Sequence, residues 1–498
     1  MKDLFNKKRI YIFLGIYSLL LMFFCAGTSP FIDNMSTDSS VFFTIGRSMV
    51  AGKVPYLDLF DHKGLYIYFI NYLGALVSEN TSIGMFFVEY LFLLADVIIC
   101  FEISKKFIRE EIKSLFVSVA MLALFLNYFT YQGGNFVEVY ALTFQLVSFW
   151  IIVLYMEKKE KEHPPIHMFI HGVCFGIVFF LRANMIMMWG GIALPIIITL
   201  LLNHKIKNAI LNILFGIAGV LVGVAPPLMY TVINGSFLEM INQSIVFNIK
   251  YSKNGNIVLN MLNSFTNVVF LGIFLMTLIS VLIILFSKSI PRNIGIIFMC
   301  SWIFSMISVT YVEIKWGHYY ENMIPFFIPL IIVIVDRINF NYLLRRKVLI
   351  AGLLCVSMVF SVFLNFRTIS KLFLNTNSKY IKQSVKVISE KYKELPEKEG
   401  SVLVTNNLSI CYNEFDVIPE EKYFYIPFIS YDIYPDAIDA QKESILEGRN
   451  KVLIINYSDY STKMIFPEGE YNKELLNYID ENYYLDTESY CIQMWVRK

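Results

Sequence analysis

The chain has 498 residues, 56% of them apolar and 16% charged, and a formal net charge of +2. That near-neutrality is a cancellation, because residues 1–366 carry 26 Lys and Arg against 19 Asp and Glu, a balance of +7, while residues 367–498 carry 16 against 21, a balance of −5. Charged residues are about 12% of the first part and about 28% of the second, and the first part repeats nearly uncharged runs of roughly 18 residues or more, which excludes a soluble enzyme of this length.

In chain order, the apolar runs predict membrane spans at 10–28, 83–103, 115–131, 138–156, 166–181, 185–202, 209–231, 261–286, 293–311, 321–336 and 348–366, about 11 in all. The first is not read as a cleaved signal peptide, because further spans follow it at once. With the N-terminus in the cytoplasm, the inside segments hold 19 Lys and Arg and the outside segments only 7: Arg47, Lys53, Lys63, Arg182, Lys250, Lys253 and Lys315. This bias sets the orientation and delivers the acidic tail to the outside. The stretch Leu65 to Ser78 is apolar but only 14 residues long. It reads as a re-entrant or interfacial helix, since counting it as a span would reverse every later loop.

Five cysteines (Cys25, Cys100, Cys174, Cys300 and Cys355) fall in the spans and read as packing; Cys411 and Cys491 fall in the outside tail, where a disulfide is open to them. No CxxC, zinc spacing, Walker loop or GxGxxG follows a plausible strand, and no internal repeat stands out, so metal-cluster and nucleotide-binding readings have no support. The cytoplasmic loops, about ten residues each, are too short for a nucleotide-binding domain, whereas the outside holds a long first loop and the tail. Chemistry is therefore expected outside, and an activated group would have to arrive there on a membrane carrier.

The first outside loop, within residues 29–64, is the most informative segment. Asp38, among Ser36, Thr37, Ser39 and Ser40, resembles a helix N-cap, and the following VFFTIGRSMVAG reads as an amphipathic helix with Val41, Ile45 and Met49 on one side and Gly52 ending it. Asp38 could only cap that helix, or it could serve as a general base for an incoming hydroxyl. Asp58, Asp61, His62 and Lys63 then put two acids, an imidazole and an ammonium within six residues, either as a solvated turn or as a substrate site.

The segments TDSSVFFTIGRSMVAGKVPYLDLFDHKG, GGNFVEVYAL, FFLRAN and WGHYYENMIP resemble those of the bacterial multi-span glycosyltransferases of the GT-C superfamily, relatives of the protein O-mannosyltransferases and of the aminoarabinose transferases that modify lipid A. The likeness covers roughly residues 1–340. It departs where the family commonly has Pro after this run, since Leu65 stands there. The resemblance implies transfer of a sugar from a polyprenyl-phosphate carrier, undecaprenyl-linked in a bacterium, to an extracytoplasmic acceptor hydroxyl or amine with inversion at the anomeric carbon. Asp38 matches the family's catalytic acidic position and becomes the expected base.

The departing phosphate needs cations, and those expected at the outer membrane level are Lys63, Arg182, Lys315 and His318, with Tyr319 beside them. An aromatic belt with an anchoring Lys is the alternative reading of residues 315–320. Glu138 opens a span, where a carboxylate costs a few kcal/mol unless it faces a cavity or a cation, and it is expected to orient Arg182 or sugar hydroxyls. Asp58, Asp61 and His62 complete the expected substrate-binding set. Acids at 38, 58 and 61 could supply oxygen ligands to a divalent cation, but no metal or other cofactor is predicted.

Glu89 and Asp96 share one face of the second span and suggest a polar seam, read either as a proton relay or as hydrogen bonds to neighbours. His167 and His171 lack a third ligand. In the tail, 401–407 and 451–457 read as buried strands and 378–395 as an amphipathic helix.

The expected architecture is thus mostly α: a polytopic helical bundle of GT-C type over residues 1–366, with a small extracytoplasmic α/β domain over 367–498. The expected protein is a multi-pass cell-membrane glycosyltransferase acting on a cell-wall polymer, lipid or protein acceptor, with membrane lipids and no nucleic acid as partners. A lipid or sugar transporter or flippase is the alternative, for which midplane charges and an internal repeat would be expected.

Overall fold

The structure is a computed structural model that describes residues 7–158, 162–252, 256–313, 316–338, 377–395, 401–405, 408–426, 435–456 and 470–498. It is mostly helical. The helices are α1 (Lys7–Cys25), α2 (Thr37–Val50), α3 (Leu65–Val77), α4 (Ile83–Lys105), α5 (Glu111–Phe125), α6 (Val137–Lys158), α7 (Pro165–Phe179), α8 (Met187–Leu202), α9 (Ile206–Ile233), α10 (Phe237–Ile241), α11 (Phe247–Ser252), α12 (Ile257–Ser264), α13 (Val268–Phe286), α14 (Arg292–Thr310) and α15 (Ile328–Arg337). In the tail come α16 (Asn377–Glu394), α17 (Ile410–Glu414), α18 (Pro435–Leu446) and α19 (Glu470–Asn482).

Among the described residues, eight helical stretches are long and apolar enough to cross a membrane. The protein is a multi-pass membrane protein. Two segments expected as spans are 15-residue helices instead, α5 and α7. At 1.5 Å per residue each reaches about 22 Å, short of a hydrocarbon core of about 30 Å. Each is cut short by a local signal: Asn127, whose Oδ1 accepts from the amides of Phe129 (3.0 Å) and Thr130 (3.2 Å), and the extended backbone of Arg182 (φ −158°). The expected span at 348–366 lies outside the described residues. α3, at 13 residues, is as short as its sequence suggests.

The chain divides into two compact units that interleave in sequence, one formed by Met1–Ile32, Phe87–Tyr230 and Ser252–Thr368, the other by Asp33–Phe86, Thr231–Tyr251 and Ile369–Lys498. In the first unit, helices approach through small residues, as expected where lipid offers no hydrophobic drive for helix pairing. A Cβ on Gly219 of α9 would run into the Phe169 carbonyl of α7, and one on Gly191 of α8 would meet the backbone of Cys300 and Ser301 on α14. Indole N–H groups find hydroxyls across helices: Trp189 donates to Ser148 and Trp302 to Thr277, each at 2.9 Å.

The second unit is built on a four-stranded sheet, β1 (Ser401–Val404), β2 (Asn450–Asn456), β3 (Tyr483–Ser489) and β4 (Ile492–Arg497), in the order β1-β2-β4-β3. The β1–β2 pair is parallel, with Leu403 opposite Leu453, so the connection must cross over and α18 lies in it. β2 and β3 both run antiparallel to β4. Leu403, Leu453, Ile455, Ile438, Ile445, Leu475 and Ile479 form the core under the sheet. β1, β2 and α16 coincide with the segments their hydrophobic patterns indicate. Cys411 and Cys491 are both free thiols, so the disulfide open to them is not formed; Cys411 sits buried in the short helix α17 and Cys491 in the β3–β4 turn. Residues 33–86, which include most of the loop expected outside, belong to this same unit: α2 and α3 pack so closely that a Cβ on Gly46 would overlap the backbone of Asn71.

Candidate functional site

Glu138 stands in the first turn of α6 and is 2% exposed. A carboxylate in that position needs a cation, and Arg182 supplies it: the guanidinium forms an ion pair with Glu138 Oε1. The same guanidinium lies 3.8 Å from the centre of the Tyr319 ring, a cation–π contact that fixes its plane. Among the described residues, Glu138 Oε2 has no hydrogen-bond partner. A cavity of ≈ 10 Å³, about the room one water needs, opens here among Glu138, Arg182, Asn184, Ser308, Tyr319 and Asn322. The second carboxylate oxygen of Glu138 and the guanidinium N–H groups not spent on Glu138 can meet one polar group of a ligand, such as a hydroxyl or an anionic oxygen.

The segment leading into α6 is shaped by an acid that lies outside the expected site. Gln132, Gly133, Gly134 and Asn135 all take left-handed backbone angles (φ 50°, 96°, 79° and 54°), a run that the two glycines make feasible. Glu89 of α4 fastens it, accepting from Thr28 Oγ1 (2.8 Å), Tyr131 OH (2.7 Å) and the Asn135 amide (2.9 Å). A side chain at Gly134 would collide with Glu89 Oε1. Phe136 then stacks on His318 (4.3 Å, 10°), and His318 Nδ1 lies 3.2 Å from Gln132 Oε1. Glu89 thus takes the hydrogen-bonding course of its two sequence readings. The signal for this role is present in the sequence as an acid inside an apolar span and a later Gly-Gly pair, but nothing local links them.

In the second unit, Ser36 is the N-cap of α2, its Oγ accepting from the Ser39 amide at 3.2 Å. Asp38 therefore does not cap the helix; it sits in the first turn, where a negative charge is favoured by the helix dipole. No described residue hydrogen-bonds its carboxylate. The Tyr425 hydroxyl is near enough to feel its charge.

The loop after α2 is fastened from several sides. Asp58 Oδ2 accepts from the Val54 amide (2.7 Å) and closes a turn. Gln243 and Asn248 donate to the carbonyls of Tyr56 (2.7 Å) and His62 (2.6 Å). The Phe60 amide donates to Lys422 O at 2.8 Å. Asp61, 1% exposed, accepts from Tyr68 OH (2.7 Å), Tyr425 OH (2.5 Å) and the His62 amide (2.7 Å). Burial is the largest influence on Asp61 and holds its carboxyl above the usual carboxylate range, against the Lys63 charge and these donors. Lys63 Nζ reaches His62 Nε2 at 2.6 Å.

Of the expected site residues, Glu138, Arg182, His318 and Tyr319 gather in the first unit, and Asp38, Asp58, Asp61, His62 and Lys63 lie in the second. Lys315 lies outside the described residues. Asp58 and Asp61 spend their carboxylates on donors of the chain itself. Among the described residues, no three His, Cys, Asp or Glu side chains gather as a metal site. Arg47, one of the cations expected outside, is buried and pairs with Asp416 while donating to Tyr412 O at 3.1 Å, so it is committed to the fold. Sequence reasoning had no local signal for Tyr425, which lies 364 positions from the acid it meets.

Residues 3–381 match the family described as "Putative competence-induced protein Ccs4 N-terminal domain". The chain belongs to that family. No curated protein matches it in sequence. Among solved structures it is similar to ArnT from Cupriavidus metallidurans bound to undecaprenyl phosphate, at 11% identity and a TM-score of 0.62 over 97% of each chain, and equally to the apo state of that protein. It is also similar to the oligosaccharyltransferase of Archaeoglobus fulgidus tethered to an acceptor peptide, at 11% identity and a TM-score of 0.51, over 100% of this chain and 75% of that one. The fold is the one shared with ArnT and the oligosaccharyltransferase, carried here by a chain of the Ccs4 N-terminal-domain family.

Proposed function

We propose that this protein is a membrane glycosyltransferase that moves a sugar from a polyprenyl-phosphate carrier to an acceptor outside the cytoplasm. The observation that carries the reading is the buried Arg182–Glu138 pair, with its open carboxylate oxygen and adjoining cavity, in a fold whose relative ArnT binds undecaprenyl phosphate. In this reading Asp38 accepts the acceptor's proton as its oxygen or nitrogen attacks the anomeric carbon. The bond from that carbon to the phosphate oxygen breaks on the opposite face, giving inversion, and the phosphate leaves with the electron pair. Arg182 and Lys63, with Lys315 and His318, offset the charge that develops there. Glu138 orients Arg182 and a sugar hydroxyl. Asp58 and Asp61 act by holding the loop that presents Lys63.

The chain runs with its N-terminus inside and residues 367–498 outside as a soluble domain. The test is transfer from undecaprenyl-phosphate sugars by purified protein, with Asp38→Asn as the control. A general base contributes about 10²–10⁴-fold, so the variant should lose that much turnover while still binding the lipid. Wild-type turnover in Asp38→Asn would remove the base assignment. Comparing the cell-envelope glycans of cells with and without the protein would identify sugar and acceptor.

A further inference from the structure

Three side chains in a row in the second unit form a chain of contacts. Asp61 Oδ1 lies 3.4 Å from His62 Nδ1, and His62 Nε2 lies 2.6 Å from Lys63 Nζ. An ammonium has only donors, so Nε2 must be the lone-pair nitrogen and the ring proton must sit on Nδ1, on the side of the buried carboxylate. Asp61 is in turn gripped by Tyr68 from α3 and by Tyr425 from the carboxyl-terminal module. Tyr56 braces the same turn, donating to Lys63 O at 2.7 Å, and the His62 ring packs against Phe247 at 5.4 Å.

We propose that Asp61 and His62 are positioning residues for Lys63, and that the carboxyl-terminal module takes part in donor recognition through the Tyr425 hydroxyl. His62 holds one of the three ammonium N–H groups and leaves two for phosphate oxygens. When the imidazole takes a second proton, Nε2 becomes a donor and repels the ammonium, so protonation of His62 releases Lys63. Among the described residues, the titratable groups facing this relay include Asp61, Lys63, Tyr56, Tyr68 and Tyr425, with Asp38 in electrostatic reach of Tyr425. Burial, ahead of the Asp61 charge, keeps the Tyr425 hydroxyl protonated far above its usual range, so it donates throughout. Removing that donor withdraws support from the ionised carboxyl of Asp61 and moves the acid limb of any Lys63-dependent binding to higher pH.

The inference rests on the donor reading above, and two readouts separate them. The first needs no substrate: the rate at which an amine-reactive reagent labels Lys63, measured against pH on the full chain in nanodiscs. A neighbouring imidazole adds an inflection to that curve as it titrates. The inflection should be present in the wild type, absent in His62→Gln and displaced in Tyr425→Phe. The second is binding of undecaprenyl phosphate against pH, with inorganic phosphate as the second arm. His62→Gln and Asp61→Asn should weaken lipid binding by about tenfold or more, the size of a lost charge-assisted hydrogen bond, and lower kcat/KM by at least as much. Identical labelling curves for wild type, His62→Gln and Tyr425→Phe would overturn the relay. The expected labelling with no binding of either phosphate by the wild type would leave the relay standing and remove the donor reading. Should Tyr425→Phe fold poorly, the half-buried His62→Gln still decides the matter.

Discussion

At the scale of single residues the most exacting arrangement is Arg182 between Glu138 and Tyr319. Glu138 is almost fully buried and the Arg182 side chain is 18% exposed, so each charge depends on the other for compensation. Breaking such a pair from one side is typically worse than replacing both partners with apolar residues of similar size. Arg182→Met and Glu138→Met should therefore each lower thermal stability in detergent, and the double variant should recover most of that loss. All three should lose transfer activity. Additive losses in the double variant would mean the two side chains do not form one unit. Arg182→Lys keeps the charge but not the planar stack on Tyr319, and should still lower turnover, since lysine cannot replace a guanidinium stacked on an aromatic ring.

Asp61 carries a second residue-scale consequence, in pH. Its carboxyl is held above the usual range chiefly by burial, so in the folded protein it takes up a proton at higher pH than in the unfolded chain. Its contribution to stability is then fully present below the unfolded value of about 4 and is lost as pH rises through the raised folded value. The melting temperature of wild type relative to Asp61→Asn should rise as the pH is lowered from neutral toward the unfolded value. Over the same interval lipid binding should fall, because Lys63 is released. A relative melting temperature that falls with the binding would contradict the sign of the Asp61 shift.

At the scale of elements, what could be read from sequence follows from how local each cause is. Long apolar runs declare α4, α8, α9 and α13 without help from any other part of the chain. The Ser/Thr-rich approach around Asp38, the Val41/Ile45/Met49 stripe and the terminating Gly52 (φ 88°) declare that α2 exists, though its cap is Ser36 and it begins at Thr37, before the expected Val41. α5 and α7 read as spans because hydrophobicity continues past their ends; only the Asn127 turn and the break at Arg182 stop them. β3 and β4 are half-exposed and carry Asp486, Glu488 and Arg497, so their patterns are weaker than those of the buried β1 and β2.

The site was legible to the extent that chemistry stands in neighbouring positions. Asp38 and the run from Asp58 to Lys63 can be picked out in one reading. The segment that Glu89 fastens and the part played by Tyr425 could not be, because each acts on a segment far away in sequence. The connector before α6 gives that point a test. Gly134→Ala would place a methyl against Glu89 Oε1 at a left-handed position, and should destabilise by more than the roughly 1 kcal/mol typical of an ordinary helix glycine. Glu89→Gln should perturb the connector less than Gly134→Ala does, since the amide oxygen can still accept from the Asn135 amide. Unfolding midpoints of the two variants, measured together, decide the order.

At the scale of the whole molecule, the family match ends at residue 381, before Tyr412, Asp416, Lys422 and Tyr425. Yet the second compact unit joins residues 33–86 to residues 369–498, and its links are specific: Arg47 with Asp416 and Tyr412, the Phe60 amide with Lys422, and Asp61 with Tyr425. A chain truncated after residue 376 would keep every described transmembrane helix but would leave the Arg47 guanidinium and the Asp61 carboxylate without those partners. Losing one partner of a buried charge typically costs about 3–5 kcal/mol, more than a surface loop can absorb. The truncated protein should insert in the membrane, expose residues 51–64 to added protease, and lose transfer altogether. Asp416→Ala, whose partner Arg47 keeps its bond to the Tyr412 carbonyl, should loosen the loop only partly. A truncated protein that resists protease in that loop and transfers sugar at the wild-type rate would make the carboxyl-terminal module an independent appendage.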